Sequence, residues 1–436
     1  KWESAKNELL FSAAAQGYLD ARLEQSRVVV DTDRNTASVE VRFHSGPRYY
    51  FGPVRFRQDQ FYPEYLQRFV KLEQGEPYNQ DAVLRLQGDL LRTDYFRRVE
   101  MVPVTEEADP ETREIPLEVH VTPNKRDGYR VGIGFATDIG PRLTLDWTRR
   151  WINRSGHRVN AELIVAPRYQ EVSGEYWIPL KRPATEHLRI RPGYHRLETA
   201  SRKEEVASLD VAHSVLWRGW RRNLGVEFRY EDYDVADERE DVNELVPYID
   251  VSRTVSDNPL FTSRGYRLKF ALLGTLGYLG STADYVSTTA SAKWIRAFGA
   301  DSRFLTRGDL GMTWADNILD VPGSRRFFAG GDQSIRGYDF EELGPTDTES
   351  GEVVGGRYLA VGSLELERRV KGDWSAAVFY DFGNAFDPDY ENEYAQSVGV
   401  GARWRSPIGQ VRVDLGVGIE SDDTPLRLHL VIGPDL

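Results

Sequence analysis

From Gly128 onward apolar and polar residues alternate in stretch after stretch, among them "LTLDWTRRW", "HRVNAELIVAP", "SLDVAHSVLW", "NLGVEFRYED", "RFLTRGDLGMTW", "SLELERRV", "AAVFYDFG", "QVRVDLGVGI" and "LRLHLVIG". Successive side chains of a strand point to opposite faces, so a period of two predicts strands with one apolar and one polar face. In "RFLTRGDLGMTW" Phe304, Thr306, Leu310, Met312 and Trp314 share one parity, and Arg303, Arg307 and Asp309 the other. A soluble sandwich alternates too, but its strands average about 5–6 residues. These run to about 9–12, the length a tilted strand needs to cross a bilayer. Residues 128–436 hold sixteen candidate strands, roughly 19 residues for each strand with its connection. The expected architecture is α+β amino-terminal domains followed by a 16-stranded antiparallel transmembrane β-barrel over 128–436.

The residues before Gly128 mix helix and strand. "WESAKNELLFSAAAQGYLDARL" sets Leu9, Leu10, Ala13 and Ala14 at helical spacing, with Gly17 placed to end the helix. "SVEVRFHSGPRYYFGPVRF" alternates, turns at Ser45-Gly46-Pro47 and alternates again, the pattern of a hairpin. A strand "VRFRQ", a short helix "PEYLQRFVKL" and a turn at Gly75–Tyr78 follow. Asn79 is an N-cap for "QDAVLRLQGDLLRTDYF", whose Val83, Leu86 and Leu90 fall on one face. Strands "VEMVPVTEE" and "IPLEVHVTPN" close a β-α-α-β-β unit over 53–125. A first unit over 1–52 lacks its opening strand, so the chain is expected to begin inside a domain. It opens on "KWESAKNELL", which is no signal peptide; an exported protein would be a processed or trimmed form.

Composition narrows this picture. No apolar run approaches the roughly 18 residues of a membrane-spanning helix, which excludes a helical integral membrane protein. The chain has no cysteine, 12% aromatic residues, 22 Tyr, 10 Trp and 38 Gly. That mix suits amphipathic strands, interfacial aromatics and tight turns in an oxidising envelope compartment. A net charge of −12 argues against nucleic acid as a partner. The mean hydropathy of −0.52 is that of a barrel with a polar lumen or of a soluble protein.

If the amino-terminal domains fix the start of the first strand on one side, the links "NRSG", "PLKRPA", "WRGWRR", "SDNPLFTSRG", "FGADS", "KGDW" and "RSPIG" fall on that side. The opposite side receives "DVADEREDVN", "NAFDPDYENEYA" and a long sixth loop over 315–354 joining strands eleven and twelve. Loops beyond about 15 residues are usually functional or disordered, and "FFAGGDQSIRGYDF" is too aromatic for disorder. Arg336 lies in it, beside Gly337, which lets the backbone take conformations other residues avoid. In "GSLELERR" Leu364 and Leu366 take the lipid parity, so Glu365 and Glu367 face inward. In "AAVFYDFGNAF" Val378, Tyr380 and Phe382 face lipid and Asp381 faces inward. A guanidinium can bridge two such carboxylates with its fixed fork of donors, so Arg336 is expected to hold the loop in the lumen.

These residues carry a family resemblance. "IRGY" (Ile335, Arg336, Gly337, Tyr338), the Gly355-Gly356 pair ahead of "SLEL", and "FYDFGNAF" resemble the signature of the POTRA-barrel superfamily of outer-membrane assembly and secretion proteins, and the two amino-terminal units resemble POTRA domains. The likeness covers essentially the whole chain and implies a bacterial outer-membrane location with the POTRA domains in the periplasm. It also implies the pairing of Arg336 with Glu365 and Asp381. The phrases "GYLDARL", "RYYFGPVRF" and "LLRTDYFRRVEM", with short external loops, are most similar to the TamA branch. Its implied partners are an inner-membrane-anchored, periplasm-spanning TamB-like protein, unfolded outer-membrane or autotransporter clients, and outer-membrane lipid and lipopolysaccharide. The alternative within the family is a two-partner-secretion transporter that passes one unfolded exoprotein through its lumen.

Inserting a barrel requires an open strand edge, because unpaired backbone groups in hydrocarbon cost several kcal/mol each. The expected place is a lateral seam between the first strand (Tyr129, Val131, Gly132, Ile133, Gly134) and the last (Leu428, Leu430, Ile432). Gly132 and Gly134 supply no side chains to pack, and the last strand ends in "PDL" rather than an aromatic. A bend in the barrel explains the glycines equally well. "GGDQSIRG" is no phosphate cradle, since GxxxxGK[ST] is absent, and "DPDYENE" and "DVADERED" miss EF-hand spacing. Without HExxH or GxSxG no catalytic constellation, cofactor or metal is expected, leaving an assembly or translocation role rather than an enzyme.

Overall fold

The computed structural model describes every residue except 1, 200–201, 236–237, 276, 278–279, 348–350, 391, 407–408, 420–425 and 434–436. The terminal "PDL" noted above lies outside the described residues, as do parts of six external links. The chain divides into two compact units, one of residues 1–127 with 149–158 and 179–184, the other of the remaining residues.

In the first unit, helix α1 (Trp2–Ala15) stops before Gly17, whose φ of +93° is open to glycine at little cost. Strands β1 (Arg22–Asp31) and β2 (Thr36–His44) form a two-stranded hairpin. This corrects the expected hairpin around Ser45-Gly46-Pro47. "RLEQSRVVVD" is a strand whose apolar run lacks alternation, and the turn sits earlier, with Asn35 at φ 50°. The next unit is β-α-α-β-β as expected: β3 (Tyr50–Arg57), α2 (Pro63–Gln67), α3 (Gln80–Arg92), β4 (Phe96–Pro103) and β5 (Glu114–Pro123). It starts at Tyr50 rather than at 53, and its sheet order is β3-β5-β4 with β3 parallel to β5. Asn79 caps α3, its side chain accepting from the Ala82 N–H at 3.1 Å. Val83, Leu86 and Leu90 pack with Phe51, Leu66, Phe69, Ile115, Leu117 and Val119 in the core. Each fully buried side chain of this size contributes roughly 1.5–3 kcal/mol.

The second unit is a closed barrel of sixteen strands in which each strand neighbours the next and the last returns to the first. It runs β6 (Asp127–Ala136), β7 (Gly140–Arg149), β8 (Arg158–Val165), β9 (Tyr169–Pro179), β10 (Glu186–Glu198) and β11 (Arg202–Trp217). Then come β12 (Trp220–Val235), β13 (Glu238–Ser256), β14 (Arg264–Thr275), β15 (Tyr285–Phe298) and β16 (Ser302–Ala315). After the long loop follow β17 (Tyr358–Lys371), β18 (Trp374–Phe386), β19 (Ala395–Ser406), β20 (Gly409–Gly418) and β21 (Arg427–Gly433). Closure pairs strand edges that an open sheet would leave bare in hydrocarbon, except at the join of β21 to β6, where among the described residues pairing falls to one position. The lengths spread wider than the sequence suggested, from 7 residues in β21 to 19 in β13. The expected external loop "DVADEREDVN" is largely the paired ends of β12 and β13. Charged residues on both faces do not break a strand that stands in water beyond the bilayer, and Tyr233, Val235 and Val242 still bury an inner face.

Candidate functional site

The loop between β16 and β17 is folded into the barrel and held by side chains from many strands. Arg202 of β11 binds Glu341 at 2.8 Å, Glu227 of β12 binds Arg325 at 2.8 Å, and Arg307 of β16 donates to the Ser334 carbonyl at 2.5 Å. Ile335 is fully buried with Ala329, Val361 and Ala395.

Arg336 is the most heavily bonded residue of the loop. Its Nε and Nη2 donate to the two oxygens of Asp381 at 2.8 and 2.9 Å, and its backbone N–H donates to Asp381 Oδ2 at 3.1 Å. Nη1 donates to Glu365 at 2.7 Å and to Asp414 at 3.3 Å, while Nη2 reaches Ser363 Oγ at 3.1 Å. The guanidinium also lies 3.5 Å from the centre of the Phe379 ring. The two carboxylates expected from strand parity are therefore the two closest, and Asp414, Ser363 and Phe379 complete the socket.

Gly337 corrects one expectation. Its φ is not among the positive values; what it provides is space, since a Cβ there would lie 2.6 Å from the Gly418 backbone nitrogen and from Ser397 Cβ. Gly416 and Gly418 leave matching room on β20, beneath the Arg336 carbonyl and the Tyr338 ring. The Arg336 carbonyl accepts from Nε2 of His429 at 2.8 Å, so the motif touches the last strand directly.

Behind this socket runs an alternating chain of charge that sequence reading missed. Arg403, fully buried, donates to Glu365 at 2.7 Å and Asp414 at 2.6 Å, and stands 3.4 Å from Glu367. Glu367 in turn binds Arg303 at 2.5 Å, and Arg303 donates to the Thr262 carbonyl in the β13–β14 link at 2.7 Å. Phe261 of that link packs on the guanidinium of Arg303 at 4.0 Å and of Arg405 at 3.6 Å. Three arginines and four carboxylates thus connect the external loop to a turn at the opposite end of the barrel. Parity could have found Asp414: Val413 and Leu415 face out, so it must face in. Arg403 was recoverable the same way from Val398 and Val400, and Gly401 leaves it room.

The residues named for the seam lie on β6 and β21, the first and last strands of the barrel. Tyr129, Val131 and Ile133 are exposed at 79%, 65% and 80%, and Leu428 is exposed, while Leu430 and Ile432 are half-buried. Gly132 would admit a Cβ 3.6 Å from Thr144, and Arg142 covers Gly134. Among the described residues β21 pairs with β6 at one position, Val431 with Ala136, whereas it pairs with β20 over seven. A further tie is the Leu430 N–H to Thr137 Oγ1 at 2.8 Å.

Just beyond β6, Asp138 accepts the Asp332 N–H of the loop at 3.0 Å. Burial, and next the Asp332 carboxylate, push Asp138 up to about 7. The docked loop therefore holds a proton here, and that contribution, complete below the ordinary value of 3.8, is lost as pH rises through about 7. Asp138→Asn should melt like the wild type at pH 4 and roughly 2–4 °C higher at pH 8. Parallel melting curves at the two pH values check this.

Residues 128–435 match the model of the Omp85 superfamily domain, and 49–124 match a POTRA domain, described as a surface antigen variable number repeat. The outer membrane protein assembly factor BamA of Nitratidesulfovibrio vulgaris is 30% identical over 217 residues, 46% of this chain and 27% of the relative. BamA of Neisseria meningitidis is 24% identical over 196 residues, 37% of this chain and 24% of the relative. The chain thus spans about a quarter of the length of these relatives. Among solved structures, BamA from Haemophilus ducreyi lacking POTRA domains 1–3 superposes with a TM-score of 0.83 at 16% identity, covering 100% of this chain and 93% of that one. CdiB from Acinetobacter baumannii gives 0.59 at 12% identity, covering 99% and 80%. The chain belongs to the Omp85 superfamily, an outer-membrane β-barrel with POTRA structure on its periplasmic side.

Proposed function

We propose that the protein inserts β-barrel and autotransporter proteins into the outer membrane, or helps secrete them, through the seam between β6 and β21. The observation that carries this reading is that among the described residues those strands pair at one position, Val431 with Ala136, beside the exposed Tyr129, Val131 and Ile133. An unsatisfied edge in lipid is costly, and a client strand that pairs with it removes the cost. The Arg336 socket is shared ground with the two-partner-secretion alternative, and pore conductance separates the two: a transporter should show open-channel events that rise when Arg336 is replaced, whereas an insertase plugged by its loop should conduct little. The β4 edge of the POTRA sheet, paired only with β5, offers a second place for a client or tether strand. Within the superfamily we favour the TamA manner of working, with a TamB-like inner-membrane partner. It rests on the phrases "GYLDARL", "RYYFGPVRF" and "LLRTDYFRRVEM" and on the short external links, beside relatives named BamA.

A photo-crosslinker at Ile133, with lipid-facing Val378 on β18 as control, tests this in intact envelopes. Mass spectrometry should recover nascent barrels or a very large inner-membrane-anchored protein from Ile133 alone. Recovery of one abundant secreted adhesin, or of nothing beyond the Val378 background, sinks the seam reading.

A further inference from the structure

The lumen-facing arginines of the socket are each matched by carboxylates, yet a group on the outer wall is not. On β14, Arg264 shares the lipid-facing parity of Phe270 and Leu272, and on β15 Arg296 shares that of Trp294 and Phe298. The ladder makes Arg264 and Arg296 direct cross-strand partners. Like charges directly opposite one another are destabilising, and an anion bound between them would offset that repulsion. Arg253 on β13 adds a third cation on the same face, its guanidinium 5.7 Å from the Trp220 ring and 5.8 Å from the Tyr266 ring. Its Nε is buried without a hydrogen-bond partner. Among the described residues none of these three arginines has an ion-pair partner.

Their level in the membrane follows from connectivity. The links after β13 and β15 lie at the barrel end where β6 begins, which is the periplasmic end. Tyr266 pairs with Trp294 in the ladder, and with Trp220 they form a local belt of the kind found at headgroup depth. Beyond the external end the outward charges are different: Arg239 there is already paired with Asp232.

We propose that the outer wall of β13–β15 binds an anionic phospholipid of the periplasmic leaflet, its phosphate held by Arg253, Arg264 and Arg296. Guanidinium forks match phosphate oxygens and are weakly hydrated, so they suit a site at the edge of hydrocarbon. The acyl chains run along the apolar face continued by Leu268, Phe270 and Leu272, and the rings enclose the glycerol region. This wall holds positions eight to ten of the sixteen strands, half-way round the barrel from the seam. A lipid fixed there steadies the side that stays closed.

The test is native mass spectrometry of the delipidated barrel titrated with phosphatidylglycerol, phosphatidylcholine or glycerol 3-phosphate. The wild type should carry phosphatidylglycerol adducts, and R253Q/R264Q/R296Q should lower their occupancy at least about fivefold. Phosphatidylcholine should bind more weakly and glycerol 3-phosphate not at all. R239Q should match the wild type, and R296Q alone should show an intermediate loss, which keeps the test open if the triple variant does not fold. Unchanged phosphatidylglycerol occupancy in R296Q and the triple variant overturns the site. So does equal binding of phosphatidylcholine, or binding of glycerol 3-phosphate without its acyl chains.

Discussion

Arg336→Glu is expected to undock the external loop and to reduce the folded barrel to a small fraction of wild-type yield. The substitution removes the cation from a socket that keeps Asp381, Glu365 and Asp414, and adds a further carboxylate. Removing one partner from a buried ion pair costs roughly 3–5 kcal/mol, a factor of about 10² to 5 × 10³ in the docked population. The effect reaches the seam, since the same residue's carbonyl accepts from His429 of β21. Arg336→Lys should fall between the two, because an ammonium cannot span Asp381 bidentately while it reaches Glu365. Arg325 is a poor comparison: it is buried against Glu227. Arg239, exposed and 3.3 Å from Asp232, is the fair one, where reversal should cost under about 1 kcal/mol. Folded yield by heat-modifiable mobility and conductance in planar bilayers read the two consequences. Equal behaviour of the Arg336 and Arg239 variants would remove the lock from the account.

The parts of this molecule that were legible in the sequence are those where geometry forces a period. Glu365 and Asp381 could be placed because their neighbours Leu364, Leu366, Val378 and Phe382 must face lipid. The same reasoning extended to Arg403 and Asp414 would have completed the socket. What escaped has a different cause. Nothing in the strand period says that His429 of the last strand meets the Arg336 carbonyl, because that contact depends on the path of a long loop. Gly337 read as a conformational residue when its role is to let two backbones approach. The β1 strand escaped because "RVVVD" has no alternation, and the extensions of β12 and β13 escaped because charge on both faces looks like a loop until pairing is known.

The proposed function depends on whether β6 and β21 separate, and the absence of native cysteine makes that directly testable. Ala136 and Val431 are ladder partners, and antiparallel partners lie within the Cα separation that a disulfide spans. In A136C/V431C the only possible intramolecular disulfide closes the seam. In L415C/L428C a similar bond ties β20 to β21 and leaves the seam free. Insertion of a denatured barrel client into vesicles holding each variant should drop at least about tenfold when the seam pair is oxidised, a barrier change of about 1.4 kcal/mol or more. Reductant should restore it, and the control pair should be indifferent. A seam-locked barrel that inserts clients at the wild-type rate would contradict the account.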